Sequence, residues 1–178
     1  MAVSPELENA IKNSNDKEYY YKLVGTNPSF LEYASEKIRD DKEIVLKAVN
    51  NDGGALEFAS SRLKGDKDVL MAATSNAGWT CCYANDELKG DKDVMLSACK
   101  NDGQALYFAS KELRDDEDVV MEAVKNKPII LKYASFRLRD KEEVVVSALE
   151  NAGKNSRYVI SYASERLLQS EEIKKFLE

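Results

Sequence analysis

The stretch LYFASKELRDDEDVVMEAVKN, Leu106 to Asn126, decides the fold, because the chain repeats it in both directions. Alanine returns at Ala34, Ala59, Ala84, Ala109 and Ala134, and again at Ala48, Ala73, Ala98, Ala123 and Ala148, always at a step of 25 residues. An aromatic stands directly before each alanine of the first series, at Tyr33, Phe58, Tyr83, Phe108 and Tyr133. A fixed period in the range of roughly 20–50 residues marks a tandem-repeat architecture.

Each unit reads as two short helices. In the second unit, GALEFASSRL (54–63) places Ala55, Leu56, Ala59 and Leu63 on one helical face, with Phe58 widening it. Gly65 and Gly90 suit a left-handed residue just past that helix, with Asp40 and Asp115 in the same place elsewhere. The second helix follows, as in DKDVLMAATSN (66–76). Asp41, Asp66, Asp91 and Asp116 can accept hydrogen bonds from its first turn. Asp40 with Glu43, and Asp115 with Asp118, offer an alternative capping pair. Asn51, Asn76, Asn101, Asn126 and Asn151 close the units as turn or cap residues. An alanine in the middle of each helix lets paired helices approach. Helices of about ten residues are too short to stand alone, so stacking of unit on unit must stabilise them.

The expectation is therefore an all-α fold, an α-solenoid of tandem 25-residue helix-turn-helix repeats with N- and C-terminal capping helices. Residues 1–15 form a helical lead-in started by Ser4 and Pro5, and 16–150 hold the repeats. Residues 151–178 hold a variant last repeat and a closing helix. The variation is an insertion of four, since Ala134 to Ala163 is 29 residues rather than 25. No linker interrupts the pattern, so one continuous domain is expected.

Composition narrows the function classes. With 26 Lys and Arg against 32 Asp and Glu, the chain carries a net charge of −6. This argues against a broad nucleic-acid footprint. There is no histidine, which removes the commonest general base and transition-metal ligand. Cys81, Cys82 and Cys99 form neither a disulfide framework nor a zinc-ligand spacing. No phosphate-binding glycine motif is present. The acids at helix starts have cap spacing rather than the alternate-position spacing of a calcium loop. We expect no enzyme, no cofactor, no metal and no small-molecule substrate. The odd, partly adjacent cysteines and the lack of an apolar run long enough for a signal peptide or a membrane span lead us to expect a reducing, cytoplasmic location. A protein exported by a specialised secretion system would look the same.

The informative positions are those where the repeat is broken. Trp79, the only tryptophan, stands where other units have Gly54, Gln104 and Ile129. Glu57, Cys82, Tyr107 and Lys132 share one repeat position and should line up across units. Phe136 replaces the polar residues of Ser61, Asp86 and Lys111. Aromatic residues at otherwise polar positions are candidate partner anchors. The candidate partner-binding set is Trp79, Cys82, Tyr107 and Phe136, with Lys132 and Arg137 at its rim. The competing reading is that Trp79 fills a local packing gap.

The recurring string L-x-[YF]-A-S-x-x-L-[RK]-D-D-x-E-V-V-L-x-A-V-x-N-D-G-x-A resembles a tandem helical-repeat family of unknown function. That family occurs in bacterial and protist proteins, including intracellular bacteria and some of their secreted effectors. The likeness runs from about Asp16 to Leu168, and is clearest at 31–35, 39–49 and 132–135. It implies the helical-repeat fold, carries no catalytic residues to transfer, and would allow delivery into a host cell. The expected role is a non-enzymatic protein-interaction module or scaffold with a protein partner. Two rivals are an inhibitor or secreted effector acting through an acidic surface, and a purely structural repeat.

Overall fold

In the computed structural model, which describes residues 16–176, every repeat contributes one long α-helix whose start and buried face are written in its residues. These helices are α1 (Lys17–Thr26), α2 (Lys42–Asn51), α3 (Lys67–Asn76), α4 (Lys92–Asn101), α5 (Glu117–Asn126) and α6 (Glu142–Ala152). Asp41 accepts from the N–H groups of Glu43 and Ile44 at 3.1 and 3.2 Å, and Asp66, Asp91 and Asp116 cap α3, α4 and α5. The alternative capping pairs led by Asp40 and Asp115 do not form, because those two carboxylates are held by the next repeat. Residues i, i+1, i+4 and i+5 of α2 to α6 are buried, as in Ile44, Val45, Ala48 and Val49, whereas α1 buries Tyr20 and Val24 alone among these places. The same places hold Val119, Val120, Ala123 and Val124 in α5. That spacing is one face of an α-helix.

The first helix expected of each repeat is not one helix. Gly53–Phe58 is a 3-10 turn, Ala59 and Ser60 are extended, and Ser61–Lys64 is a single α-helical turn. The serine causes the break. Its hydroxyl accepts from the Leu63 N–H at 3.2 Å, which starts a new turn, while its own N–H donates to the Arg39 carbonyl of the preceding repeat at 2.9 Å. Ser135 repeats both bonds, to Leu138 and Arg114. The expected face survives the break, since Ala55, Leu56, Ala59 and Leu63 are all buried. Alanines 34, 59, 84 and 134 therefore sit at a kink, whereas alanines 48, 73, 98, 123 and 148 sit inside the long helices at zero exposure.

Two further expectations are corrected. Gly65 and Asp40 have φ of −93° and −101°, so neither is left-handed. The only positive φ among the described residues is at Gly153, where α6 ends. The glycines of the Asn-Asp-Gly turns are required by close approach instead: a Cβ at Gly53 would lie 2.4 Å from the Ala73 carbonyl oxygen, and one at Gly103 2.3 Å from that of Ala123. The lead-in helix over 1–15 and the last two residues of the closing helix lie outside the described residues; within them that helix spans Glu171–Lys174. In the variant last repeat, residues 161–168, the expected counterpart of the first helix of each repeat, are likewise not one helix but a turn followed by a 3-10 element at Leu167–Gln169.

The chain divides into two compact units, one ending at Asn85 and one beginning at Asp86. In the first, α1 packs on α2 and α2 on α3; in the second, α4 packs on α5 and α5 on α6. Three polar ties recur between neighbouring repeats. The lysine that opens a long helix reaches both acids at the start of the next. Lys17 meets Asp41 and Glu43 at 3.0 and 2.8 Å, Lys42 meets Asp66 and Asp68 at 2.9 and 2.7 Å, and Lys92 meets Asp116 and Asp118 at 2.9 and 2.6 Å. Between α5 and α6 the signs are exchanged, with Glu117 in the lysine place and Lys141 in the aspartate place, 2.5 Å apart.

The second tie joins Asp40 to the Ser60 hydroxyl and to Arg62, whose Nε lies 2.9 Å away; Asp115 holds Ser135 and Arg137, and Asp140 holds Ser164 and Arg166, in the same way. The serine hydroxyl first, and then the arginine, hold these three carboxyls below the usual range. Where glycine replaces the aspartate, at Gly65 and Gly90, glutamate replaces the arginine, at Glu87 and Glu112. The third tie is the closing asparagine. Asn76 Nδ2 donates to the Asn50 carbonyl at 2.8 Å and Asn51 Nδ2 to that of Gly25 at 3.1 Å, each reaching carbonyls of the preceding helix. Asn151 departs, donating to Ser147 of its own helix, where the four-residue insertion begins.

Candidate partner-binding surface

The 3-10 turns carry most of the sequence-derived candidates. In the first unit, Gly78–Tyr83 positions Trp79 and Cys82. Trp79 is 43% exposed, meets the Tyr83 ring edge-on at 6.0 Å between centroids, and lies over Gly54, where a Cβ would sit 3.4 Å from the indole. The Lys64 ammonium stands 5.1 Å from the Tyr83 centroid. Cys82 is half-buried. Burial first, and then the nearby Glu57 and Cys82, push the Tyr83 hydroxyl up.

In the second unit, Tyr107 is 51% exposed and makes edge contacts with Phe108 and Tyr133 at 5.0 and 4.9 Å. Lys132 is exposed, and its ammonium lies 4.8 Å from the same Tyr133 ring. The structure thus brings Tyr107 and Lys132 together on one aromatic side chain. Phe136 is 84% exposed and carries the Arg139 guanidinium 4.3 Å from its centroid. Arg137 has a different role from a free rim charge. It is tied to Asp115, through Nε at 3.0 Å and through Nη2 to the carbonyl at 2.5 Å.

Three further exposed aromatics lie outside the candidate set. Tyr158, 66% exposed, lies in the inserted segment, which has no repeat copy to compare with. Tyr19 and Tyr21 stand where α2 has Ile44 and Leu46, a departure visible in the alignment of the repeats. Lys47 lies 5.5 Å from the Tyr21 centroid. Cys81 and Cys99 are buried, and burial pushes the Cys99 thiol up to about 12, so it stays protonated at neutral pH. No helix among the described residues is long and apolar enough to cross a membrane.

A model of the family described as Domain of unknown function (DUF4116) matches the chain three times in tandem, over residues 16–60, 41–89 and 91–139. No curated protein and no solved structure matches it.

Proposed function

The chain belongs to the DUF4116 family of domains of unknown function, and on that premise we propose that it is a non-enzymatic protein-interaction module. The observation that carries this reading is the meeting of exposed Tyr107 and Lys132 on Tyr133. Half-exposed Trp79 and exposed Phe136 support it, because both depart from the repeat at positions where other copies are mostly small or polar. Large exposed aromatics bring contact area at low entropic cost and are the residue type on which partners concentrate binding energy. Repeat proteins vary such positions without disturbing the stacked core. The lack of histidine and the protonated Cys99 thiol support a role without catalysis. A reducing compartment such as the cytoplasm fits the three free cysteines. The inhibitor or effector reading is less well supported, since many carboxylates are held by lysine and arginine of adjoining repeats.

The test is affinity capture from host lysate with wild type beside Trp79→Ala/Tyr107→Ala, both shown helical by circular dichroism. A partner retained by wild type and lost by the variant is the expected result. A partner retained equally by both would remove this surface, and binding abolished by moderate salt would favour the charged-surface alternative.

A further inference from the structure

One repeat position, at the end of the short α-turn in four repeats and inside the 3-10 turn Leu113–Asp115 in the other, is cationic in all five: Arg39, Lys64, Lys89, Arg114 and Arg139. All five are half-buried, and among the described residues none has a carboxylate within ion-pair distance. Arg62, Arg137 and Arg166, two positions earlier in the repeat, are by contrast exposed and paired to aspartates. The Nε atoms of Arg39 and Arg139 are buried with no hydrogen-bond partner. Long stems that pack while the charge reaches water explain half-burial. They do not explain orphaned donors, which an apolar side chain at the same place would not leave unpaired.

Both arginines line grooves between adjoining repeats. In the first unit a groove of about 780 Å³ is bounded by Lys37, Arg39, Arg62 and Lys64, with Glu36 and Glu57 among its acids. Arg62 is neutralised by Asp40, which leaves Lys37, Arg39 and Lys64 as cations without an ion pair. In the second unit the equivalent groove, about 230 Å³, is bounded by Arg139, Phe136, Tyr162 and Glu165.

We propose that this groove, found in both units, takes an acidic segment of a protein partner in extended conformation, with carboxylates on the guanidinium of Arg39 or Arg139. The proposal rests on the interaction-module reading for a peptide rather than a small anion; it shares Phe136 and the Lys64–Tyr83 contact with the aromatic surface, but its cations are distinct from Trp79 and Tyr107. Glu36, Glu57 and Glu165 in the grooves oppose a continuous polyphosphate and tolerate spaced carboxylates. Packed helices lie ~8–10 Å apart and an extended chain rises ~3.3 Å per residue, so acids at every third residue match the repeat.

Fluorescence anisotropy tests it with a labelled peptide bearing Glu at every third position, its Gln counterpart, and oligothymidylate of equal length. Wild type is expected to bind the Glu peptide about tenfold or more tightly than either control. Arg39→Met/Lys64→Met, which keeps the packing volume, and Arg139→Met should each weaken that binding several-fold, with unfolding midpoints unchanged or raised. Equal binding of Glu and Gln peptides, no binding, preference for oligothymidylate, or unaltered affinity in the Met variants would overturn it. Such a failure, with lysate capture still dependent on Trp79 and Tyr107, removes the groove alone. Glu-peptide binding that survives Trp79→Ala/Tyr107→Ala, with capture unaffected by that variant, removes the aromatic anchors alone.

Discussion

Cys99 occupies a fully buried place that other repeats fill with Val49, Thr74, Val124 and Leu149. Its folded pKa, about 12, lies above the ordinary value of 9.0. The associated stability is complete below pH 9 and is lost as pH rises toward 12, because the unfolded chain releases the proton first. Cys99→Val should change stability by no more than ~1.5 kcal/mol at pH 7 and flatten the decline between pH 9 and 11 in urea titrations. Parallel declines in both proteins would contradict the assignment. Gly103→Ala should lose ~1–3 kcal/mol, since its Cβ meets a helix carbonyl rather than a yielding side-chain end. At this scale the sequence located the glycines, but not the close approach that requires Gly53 and Gly103. Turn composition is visible in one dimension; an approach of 2.3 Å to Ala123 is not.

Among the elements, the exchanged charges at Glu117 and Lys141 provide a natural charge swap of the ladder formed by Lys42 and Lys92. Glu117→Lys should destabilise, because two lysines then face each other, and Glu117→Lys/Lys141→Asp should restore the common arrangement. A urea double-mutant cycle should give a favourable coupling of ~0.5–1 kcal/mol. Lys141→Asp alone also supplies α6 with the side-chain cap it lacks, a contribution the cycle subtracts. Zero coupling would show the ladder to be ornamental. The long helices were legible because their aspartate caps and their i, i+1, i+4, i+5 faces agree. The broken first helix was not: a 3-10 turn, a kink and one α-turn keep Ala55, Leu56, Ala59 and Leu63 on the same side as a continuous helix would. The deciding bond, from Ser60 N–H to the Arg39 carbonyl, joins different repeats.

For the whole molecule, charge and surface are separable questions. Asp40, Asp66, Asp115, Asp116 and Asp140 have depressed carboxyl pKa values, so their contribution is present above pH 4 and lost as pH falls further. Lys17, Lys42 and Lys92 are raised, so theirs is present below about pH 10 and lost above it. Urea midpoints should therefore form a plateau from about pH 5 to about pH 9, lowered by added salt. Breaks in the repeat did disclose Trp79, Tyr107 and Phe136 as exposed aromatics. They could not disclose the Arg137 tie to Asp115, which takes both repeats to see. The cations at 39, 64, 89, 114 and 139 were overlooked because they keep the pattern rather than break it. The measurement that bears most directly on the interaction surface is urea unfolding of Trp79→Ala/Tyr107→Ala/Phe136→Ala beside wild type. Anchors for a partner should cost the free fold less than ~2 kcal/mol in total, whereas a loss of ~4 kcal/mol or more would show that these rings fill the fold's own gaps.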